Sequence, residues 1–165
     1  MTLLVFAGIA VILFLGQNAG APLNTNFDDL FKSMAKKYSL DWKMLKAMCM
    51  IESSLGAAPS VKRGLENPAD VEGSKSTDGK SWGIMQVTIP TAQDYDKTAT
   101  PQKLNIPYYS VDIASQHLVK LKKLFFGDVE KIVKSYNQGQ GATLAGKNYA
   151  DGYWKKYLNA YKSIN

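Results

Sequence analysis

The sequence has 165 residues, of which 45% are hydrophobic and 21% are charged. These values fit one globular domain and exclude a disordered chain, a collagen-like repeat and a polytopic membrane protein. Lysine and arginine number 20 against 14 acidic residues, a formal charge of +6, and Cys49 and His117 are the only cysteine and histidine. These counts exclude an internal disulfide, a cysteine-based zinc site and multi-histidine metal chemistry, and they allow a Ser-His-Asp triad only if His117 serves it. We therefore expect no metal and no other cofactor.

The N-terminus differs from the rest of the chain, because its first charged side chain is Asp28. The segment from Leu3 to Leu15 is a run of 13 apolar or small residues, shorter than the roughly 20 residues that cross a bilayer. Ala19-Gly20-Ala21 follows and fits a small-x-small cleavage site, although no Lys or Arg precedes the run. We predict that residues 1–21 form a signal peptide or, alternatively, an N-terminal membrane anchor; a buried helix is the third interpretation. The domain of residues 22–165 would then lie outside the cytoplasm.

Beyond Pro22 the apolar residues follow a helical period, and few segments alternate as strands do. Asn26 and Asp41 can each cap the start of a helix. Residues 57–80, called the arm below, are rich in turn residues and are predicted to form a long irregular loop, compatible with a short β-hairpin. The fold is therefore assigned to the α class, a compact helical domain with an irregular arm. Helices are predicted over 27–38, 42–54, 90–96, 111–126, 129–136 and 149–162.

The second helix places one carboxylate among apolar side chains. With Trp42 at 0° and about 100° per residue, Leu45 lies near 300°, Met48 near 240° and Cys49 near 340°. Glu52 lies at about 280° on the same scale, in the middle of this apolar arc. Loss of hydration disfavours the charged form and raises the pKa of such a carboxyl. Two interpretations of Glu52 are open. In the first, its side chain extends to solvent at the helix end or pairs with a lysine. In the second, it is a general acid kept protonated near neutral pH.

Two later segments are rich in neutral hydrogen-bonding groups. Residues 81–86 form a glycine-containing turn that ends in Gln86, and residues 135–139 end a helix at Gly139. Amides and hydroxyls in these segments, those of Gln86, Tyr136, Asn137 and Gln138, suit sugar hydroxyls and acetamido groups without requiring a charged ligand. A core-packing turn and an ordinary helix C-cap are the alternative interpretations.

Three motifs in this order resemble the catalytic domain of lytic transglycosylases of the soluble-type (SLT-like), goose-type-lysozyme-like group. Glu52-Ser53-Ser54 is similar to the E-S motif, Gly83-Ile84-Met85-Gln86 to the G-L-M-Q motif, and Ser135-Tyr136-Asn137-Gln138-Gly139 to the A-Y-N-x-G motif. Tyr153 to Tyr161 resembles the closing aromatic helix, so the resemblance runs from about Phe27 to Tyr161. The sequence departs from the family in its spacing, because Gln86 follows Glu52 by 34 positions. This spacing is longer than in the family, so the arm is interpreted as an insertion.

The resemblance implies a lysozyme-like fold and cleavage of the β-1,4 bond between N-acetylmuramic acid and N-acetylglucosamine, with 1,6-anhydromuramyl ends. It implies that Glu52 is the single catalytic acid and base, and that the acetamido group of the substrate replaces a nucleophilic aspartate. Tyr136 would hydrogen-bond to Glu52 or to the acetamido group, while Gln86 and Asn137 would hold the sugar. Ser53, Met85 and Gln138 complete the predicted substrate-binding set, and Ser54 and Ser81 are weaker candidates.

Two other functions stay open from the sequence. One is a lysozyme-type muramidase, a hydrolase in which a carboxylate of the arm positions water; the candidates are Glu66, Asp70, Glu72 and Asp78. The other is a non-catalytic cell-wall-binding module, which gives no reason for a glutamate on the buried face.

Peptidoglycan glycan strands are the expected partner, bound by an exported monomer in the periplasm or cell envelope, or on a virion if the protein is phage-encoded. A secretion, conjugation or phage assembly is a compatible setting, and the membrane would be contacted only through the N-terminal segment. Lys120, Lys122 and Lys123 form a cluster typical of a solvated helix face. Without a nucleic-acid motif we expect no nucleic-acid binding, and the basic surface would favour encounter with an anionic envelope.

Overall fold

The computed structural model describes residues 26–165, and the predicted signal peptide or anchor at residues 1–21 lies outside them. Within the described residues the chain forms nine helices and one two-stranded antiparallel sheet. The helical fold class predicted from the sequence is therefore confirmed. The helices are α1 Asp28–Tyr38, α2 Trp42–Ser53, α3 Pro59–Glu66, α4 Ile89–Gln93, α5 Pro101–Leu104, α6 Pro107–Leu124, α7 Val129–Gln138, α8 Gln140–Leu144 and α9 Asp151–Lys162, and the strands are β1 Ser81–Trp82 and β2 Val87–Thr88.

Helix α2 lies at the centre of the fold and packs against α1 on one side and α9 on the other. It begins where predicted, because the Asp41 carboxylate accepts a hydrogen bond from the Lys43 backbone N–H at 2.9 Å. Its side chains Leu45 and Met48 are fully buried. Helix α6 forms the second central element, packing against α1 and α7. The core thus surrounds the apolar arc of α2 that the helical period indicated.

The arm is more regular than predicted. Its first half is the helix α3, which begins at Pro59 directly after Ala58 in an extended conformation (φ −57°, ψ 135°). The prediction of an irregular segment is wrong for residues 59–66, because a proline at the first position of a helix favours the helix and does not break it. Residues 67–80 contain no helix or strand, as expected. The short hairpin lies just beyond the arm and pairs Ser81 with Thr88.

Helix α6 begins at Pro107, four residues earlier than the sequence pattern indicated. Here too a proline occupies the first helical position, where it favours the helix. Its neighbour α7 begins at Val129 as predicted and extends to Gln138. Among residues 26–165, no helix is both long and apolar enough to cross a bilayer.

Candidate active site

Glu52 occupies the penultimate position of α2 and faces α9. The Tyr153 hydroxyl of α9 donates a hydrogen bond to Glu52 Oε1 at 2.5 Å. The pKa of Glu52 is raised from 4.5 to about 7, mainly by burial; the Tyr153 hydrogen bond opposes this rise and the negative charge of Asp78 adds to it. Near neutral pH the two protonation states of Glu52 are therefore comparably populated, so one carboxyl can both donate and accept a proton.

Ser53 joins the end of α2 to the hairpin turn. Its side chain is 1% exposed, and its hydroxyl donates to the Ile84 carbonyl at 2.8 Å while accepting from the Gly56 backbone N–H at 3.0 Å. Cys49 Sγ lies 3.4 Å from the same Ile84 carbonyl, and burial raises the pKa of the Cys49 thiol to about 12. These groups fix the backbone on both sides of Glu52. The hydroxyl of Ser53, predicted to bind substrate, is enclosed by the protein.

The turn between β1 and β2 is held against the α5–α6 junction. Gly83 has a positive φ of 74°, and a Cβ at this position would lie 1.9 Å from the Leu104 carbonyl oxygen, so only glycine fits. The Met85 backbone N–H donates to Ser110 Oγ at 3.2 Å, and the Met85 side chain is fully buried. Gln86 is partly exposed, and its Nε2 donates to the Gly83 carbonyl at 2.9 Å. The turn therefore presents Gln86 towards solvent and encloses Met85.

Tyr136 was expected to hydrogen-bond to Glu52 or to the acetamido group of the substrate, and it forms no hydrogen bond with Glu52. Its hydroxyl donates to the Met85 carbonyl at 2.7 Å, and Tyr153 takes the place at Glu52 instead. Burial raises the pKa of Tyr136 well above its ordinary value, and the negative charge of Glu52 raises it further, so the two side chains are close enough to interact. The sequence indicated a closing aromatic helix from Tyr153 to Tyr161 but gave no sign that Tyr153 reaches Glu52.

The end of α7 carries two predicted amides in different environments. Asn137 is exposed. The Gln138 amide is used within the protein: its Nε2 donates to Thr143 Oγ1 at 3.0 Å and to the Lys147 carbonyl at 2.9 Å, and its Oε1 accepts from the Ala150 backbone N–H at 2.8 Å. Because Ala150 directly precedes α9, Gln138 positions the start of the helix that carries Tyr153.

Asp78 is the arm carboxylate whose negative charge raises the pKa of Glu52. Its oxygens accept hydrogen bonds from the Ser76 hydroxyl, the Lys80 backbone N–H at 2.8 Å and the Ser81 hydroxyl at 2.9 Å. These donors lower the pKa of Asp78, so it is ionised at neutral pH. Its charge contributes to the raised pKa of Glu52. In residues 26–165 no three His, Cys, Asp or Glu side chains gather in a group that could hold a metal ion.

The motifs that flank Glu52 belong to a recognisable domain. The family model of the Transglycosylase SLT domain matches residues 29–159, most of the chain. The chain belongs to the SLT transglycosylase family. No curated protein matches the chain significantly. Membership of this family indicates a lytic-transglycosylase-type activity that cleaves peptidoglycan in the cell envelope.

In this SLT domain the four segments identified from the sequence meet around one carboxyl. Tyr153 and the Met85 carbonyl connect α9, the hairpin turn and α7 to the neighbourhood of Glu52. Among the predicted substrate ligands, Asn137 is exposed and Gln86 is partly exposed, whereas Ser53 and Met85 are buried. Tyr136 and Gln138 are also partly exposed, but their polar groups hydrogen-bond to the protein itself. Asp78 was one of four equivalent carboxylates in the sequence, and the structure distinguishes it by its effect on Glu52.

Proposed function

We propose that this SLT domain is a lytic transglycosylase that cleaves the β-1,4 bond between N-acetylmuramic acid and N-acetylglucosamine, with Glu52 as the single acid and base. The observation that carries the proposal is the environment of Glu52, a carboxyl at a helix end with its pKa raised to about 7 and a single tyrosine donor. A glutamate of this kind is protonated often enough to act as an acid and is still a competent base once it has given up its proton.

The reaction would proceed in two steps at one carboxyl. Protonated Glu52 donates its proton to the glycosidic oxygen, the bond from this oxygen to C1 of the muramyl residue breaks, and the 2-acetamido oxygen of the substrate stabilises the developing positive charge at C1. Glu52, now ionised, accepts the proton of the muramyl C6 hydroxyl, and O6 bonds to C1. The product is a 1,6-anhydromuramyl end, no water is consumed, and Glu52 returns to its protonated form.

Neighbouring residues would support these steps in different ways. Tyr153 orients the carboxyl and stabilises its ionised form after the first proton transfer. Gln86 and Asn137 offer partly or fully exposed amides that can hydrogen-bond to sugar hydroxyls. Tyr136, Ser53 and Gln138 hold the backbone around the site.

The test is an analysis of the muropeptides released from purified peptidoglycan sacculi. Wild-type protein is expected to release anhydromuramyl products, lighter by one water than their reducing-end counterparts, and Glu52→Gln to release none. Glu130→Gln, which neutralises an exposed glutamate at the start of α7, is the matched control and should retain wild-type activity. Release of the same products by Glu52→Gln at the wild-type rate would refute the role of Glu52.

A muramidase is the second candidate, supported by one observation: the ionised Asp78 carboxylate is near enough for its charge to act on Glu52. A second carboxylate of this kind could position a water molecule for attack at C1. The same product analysis distinguishes the two, since a hydrolase leaves reducing ends. If reducing ends dominate and Asp78→Asn abolishes them, the hydrolase is correct and the single-carboxylate mechanism is not.

The setting follows from the substrate. A peptidoglycan-cleaving enzyme must reach the wall, so we propose export by means of residues 1–21, either as a cleaved signal peptide or as an anchor. Mass spectrometry of the protein recovered from the envelope tests this, because a soluble product that retains Met1 would refute cleavage.

A further inference from the structure

A groove of about 750 Å³ lies on the C-terminal half of α6, outside the neighbourhood of Glu52. Its walls also include the end of α1, the segment after α4 and the start of α8. We call it the α6 groove; the lining residues used below are Tyr38, Tyr95, Gln116, Lys120, Lys123 and Gln140.

The aromatic wall of the α6 groove is fixed by hydrogen bonds. The Tyr38 hydroxyl donates to Asp112 Oδ1 at 2.8 Å, and the Tyr95 hydroxyl lies 3.0 Å from His117 Nδ1. With their hydroxyls engaged, the two tyrosines line the groove as ordered rings. Rigid aromatic surface with a few amide groups, here those of Gln116 and Gln140, is a surface suited to organic ligands that combine apolar faces with polar edges.

The charge of the α6 groove comes from two lysines one helical turn apart. The Lys123 side chain is exposed and forms no ion pair or hydrogen bond with any group of residues 26–165. Lys120 Nζ lies 3.2 Å from Asp94 Oδ2, an ion pair whose two side chains are 44% and 54% exposed. Such an exposed pair contributes little and can exchange for another carboxylate. The groove therefore suits a ligand that carries negative charge, which a neutral sugar does not.

A row of ring contacts links the α6 groove to the side chains near Glu52. His117, which contacts Tyr95 of the groove, has its ring centroid 5.8 Å from that of Tyr136. His117, Tyr136 and Gln86 line a smaller depression of about 50 Å³. The negative charge of Glu52 in turn raises the pKa of Tyr136. The α6 groove is thus two ring contacts away from Tyr136, on the side of His117 that faces Tyr95.

We propose that the α6 groove binds the peptide stem of the glycan strand that is cleaved at Glu52, with Lys123 and Lys120 pairing its carboxylates. The proposal rests on the proposed function, because peptidoglycan differs from a neutral glycan in bearing short peptides with free carboxylates. It assigns a task to the lysine cluster, which the sequence alone left as a solvated helix face. Lys122 has another role, since its Nζ donates to the Ser39 carbonyl at 3.0 Å.

The experiment measures binding without turnover, in the Glu52→Gln protein. Two probes are titrated by calorimetry: a peptide-bearing tetrasaccharide from peptidoglycan and the neutral N-acetylglucosamine tetramer. Lys123→Glu and Lys120→Glu are each added to Glu52→Gln. The matched control is Lys156→Glu, which reverses another exposed charge, on α9.

Lys123→Glu is expected to weaken binding of the peptide-bearing probe about tenfold and to leave the neutral tetramer within about twofold. Lys120→Glu should have the same sign, and Lys156→Glu should change neither probe. Raising salt from about 50 to about 300 mM should weaken the peptide-bearing probe more in the parent than in Lys123→Glu. Equal losses for both probes, or no loss for either, would overturn the proposal.

The two proposals fail separately. If the wild-type protein releases no anhydromuramyl ends but Lys123→Glu weakens binding of the peptide-bearing probe alone, the proposed reaction is wrong and the proposed role of the groove stands. If anhydromuramyl ends are released and the lysine variants bind both probes like the parent, the groove is refuted and the reaction stands.

Discussion

Replacing Tyr153 with phenylalanine is the most direct test of how Glu52 is tuned. The variant keeps the ring and removes the hydroxyl that donates to Glu52 Oε1 at 2.5 Å. A donated O–H favours the ionised carboxylate, and in this structure the Tyr153 hydrogen bond lowers the pKa of Glu52 against the effect of burial. Its loss should therefore raise the pKa of Glu52 further above the present value of about 7.

The size of the shift follows from the energy of the lost bond. A hydrogen bond to a charged group contributes about 1.5–3 kcal/mol, and one pKa unit corresponds to about 1.4 kcal/mol. If the bond existed only with the carboxylate, the rise would be about one to two units. Because a protonated carboxyl still accepts a weaker bond from the same hydroxyl, we expect the lower end, about one unit.

Two measurements report this shift. The pKa of Glu52 can be followed by NMR titration of its labelled side-chain carboxyl, and the alkaline limb of kcat/KM on peptidoglycan should move upward with it, since Glu52 must be protonated to act first as an acid. Tyr161→Phe is the matched control, because the Tyr161 hydroxyl donates to Asp41 Oδ2 at the same distance of 2.5 Å on the same helix. An unchanged or lowered pKa in Tyr153→Phe, or an equal shift in Tyr161→Phe, would refute the reasoning.

Three further predictions concern stability. Because the folded-state pKa of Glu52 is raised from 4.5 to about 7, the native state holds its proton more tightly, and stability is lost as the pH rises through this interval. Glu52→Gln should therefore increase the free energy of unfolding at pH 8.5 by up to about 3 kcal/mol and much less at pH 4.5, as measured by urea denaturation; an equal gain at both pH values would contradict the sign. Ser53→Ala leaves the buried Gly56 backbone N–H without its acceptor and should lower the free energy of unfolding by about 1–3 kcal/mol. Ser54→Ala, at the neighbouring exposed position, should change it by less than about 0.5 kcal/mol. Similar losses in the two variants would be inconsistent with this role of Ser53. Gly83→Ala places a Cβ 1.9 Å from the Leu104 carbonyl oxygen and should lower the melting temperature by more than about 10 °C. Gly141→Ala, where a Cβ in α8 meets no other atom, should be neutral or slightly stabilising. An unchanged melting temperature in Gly83→Ala would contradict the requirement for glycine in this turn.

The position of Glu52 could be predicted because it depends only on local regularity. Helix α2 is uninterrupted from its Asp41 cap to Ser53, so counting about 100° per residue places the carboxyl correctly in the apolar arc. The partner of this carboxyl could not be found in the same way. Tyr153 lies 101 positions further along the chain, and only the packing of α9 on α2 brings it to Glu52.

The arm shows the limit of composition as a guide. Its glycine and proline indicated irregular structure, yet Pro59 begins α3, and Gly64 lies within that helix. A Cβ on Gly64 would lie 2.6 Å from Asn105 Oδ1, so this glycine permits close packing of α3. The same residue types in residues 67–80 do form turns. Which of the two roles a glycine or proline has is decided by tertiary contacts that a single sequence does not contain.

The polar residues of the family motifs divide into two groups once their hydrogen bonds are known. Ser53, Tyr136 and Gln138 bond to main-chain atoms of the hairpin turn or of the segment before α9. Gln86 and Asn137 each keep an amide oxygen that accepts no hydrogen bond from residues 26–165 and can therefore be offered to a ligand. A buried carboxyl with a pKa of about 7 needs walls that do not relax around it, and main-chain hydrogen bonds from three different segments supply such walls. Under the proposed function, Ser53 and Tyr136 would therefore act on the substrate indirectly, by fixing the surroundings of a single glutamate.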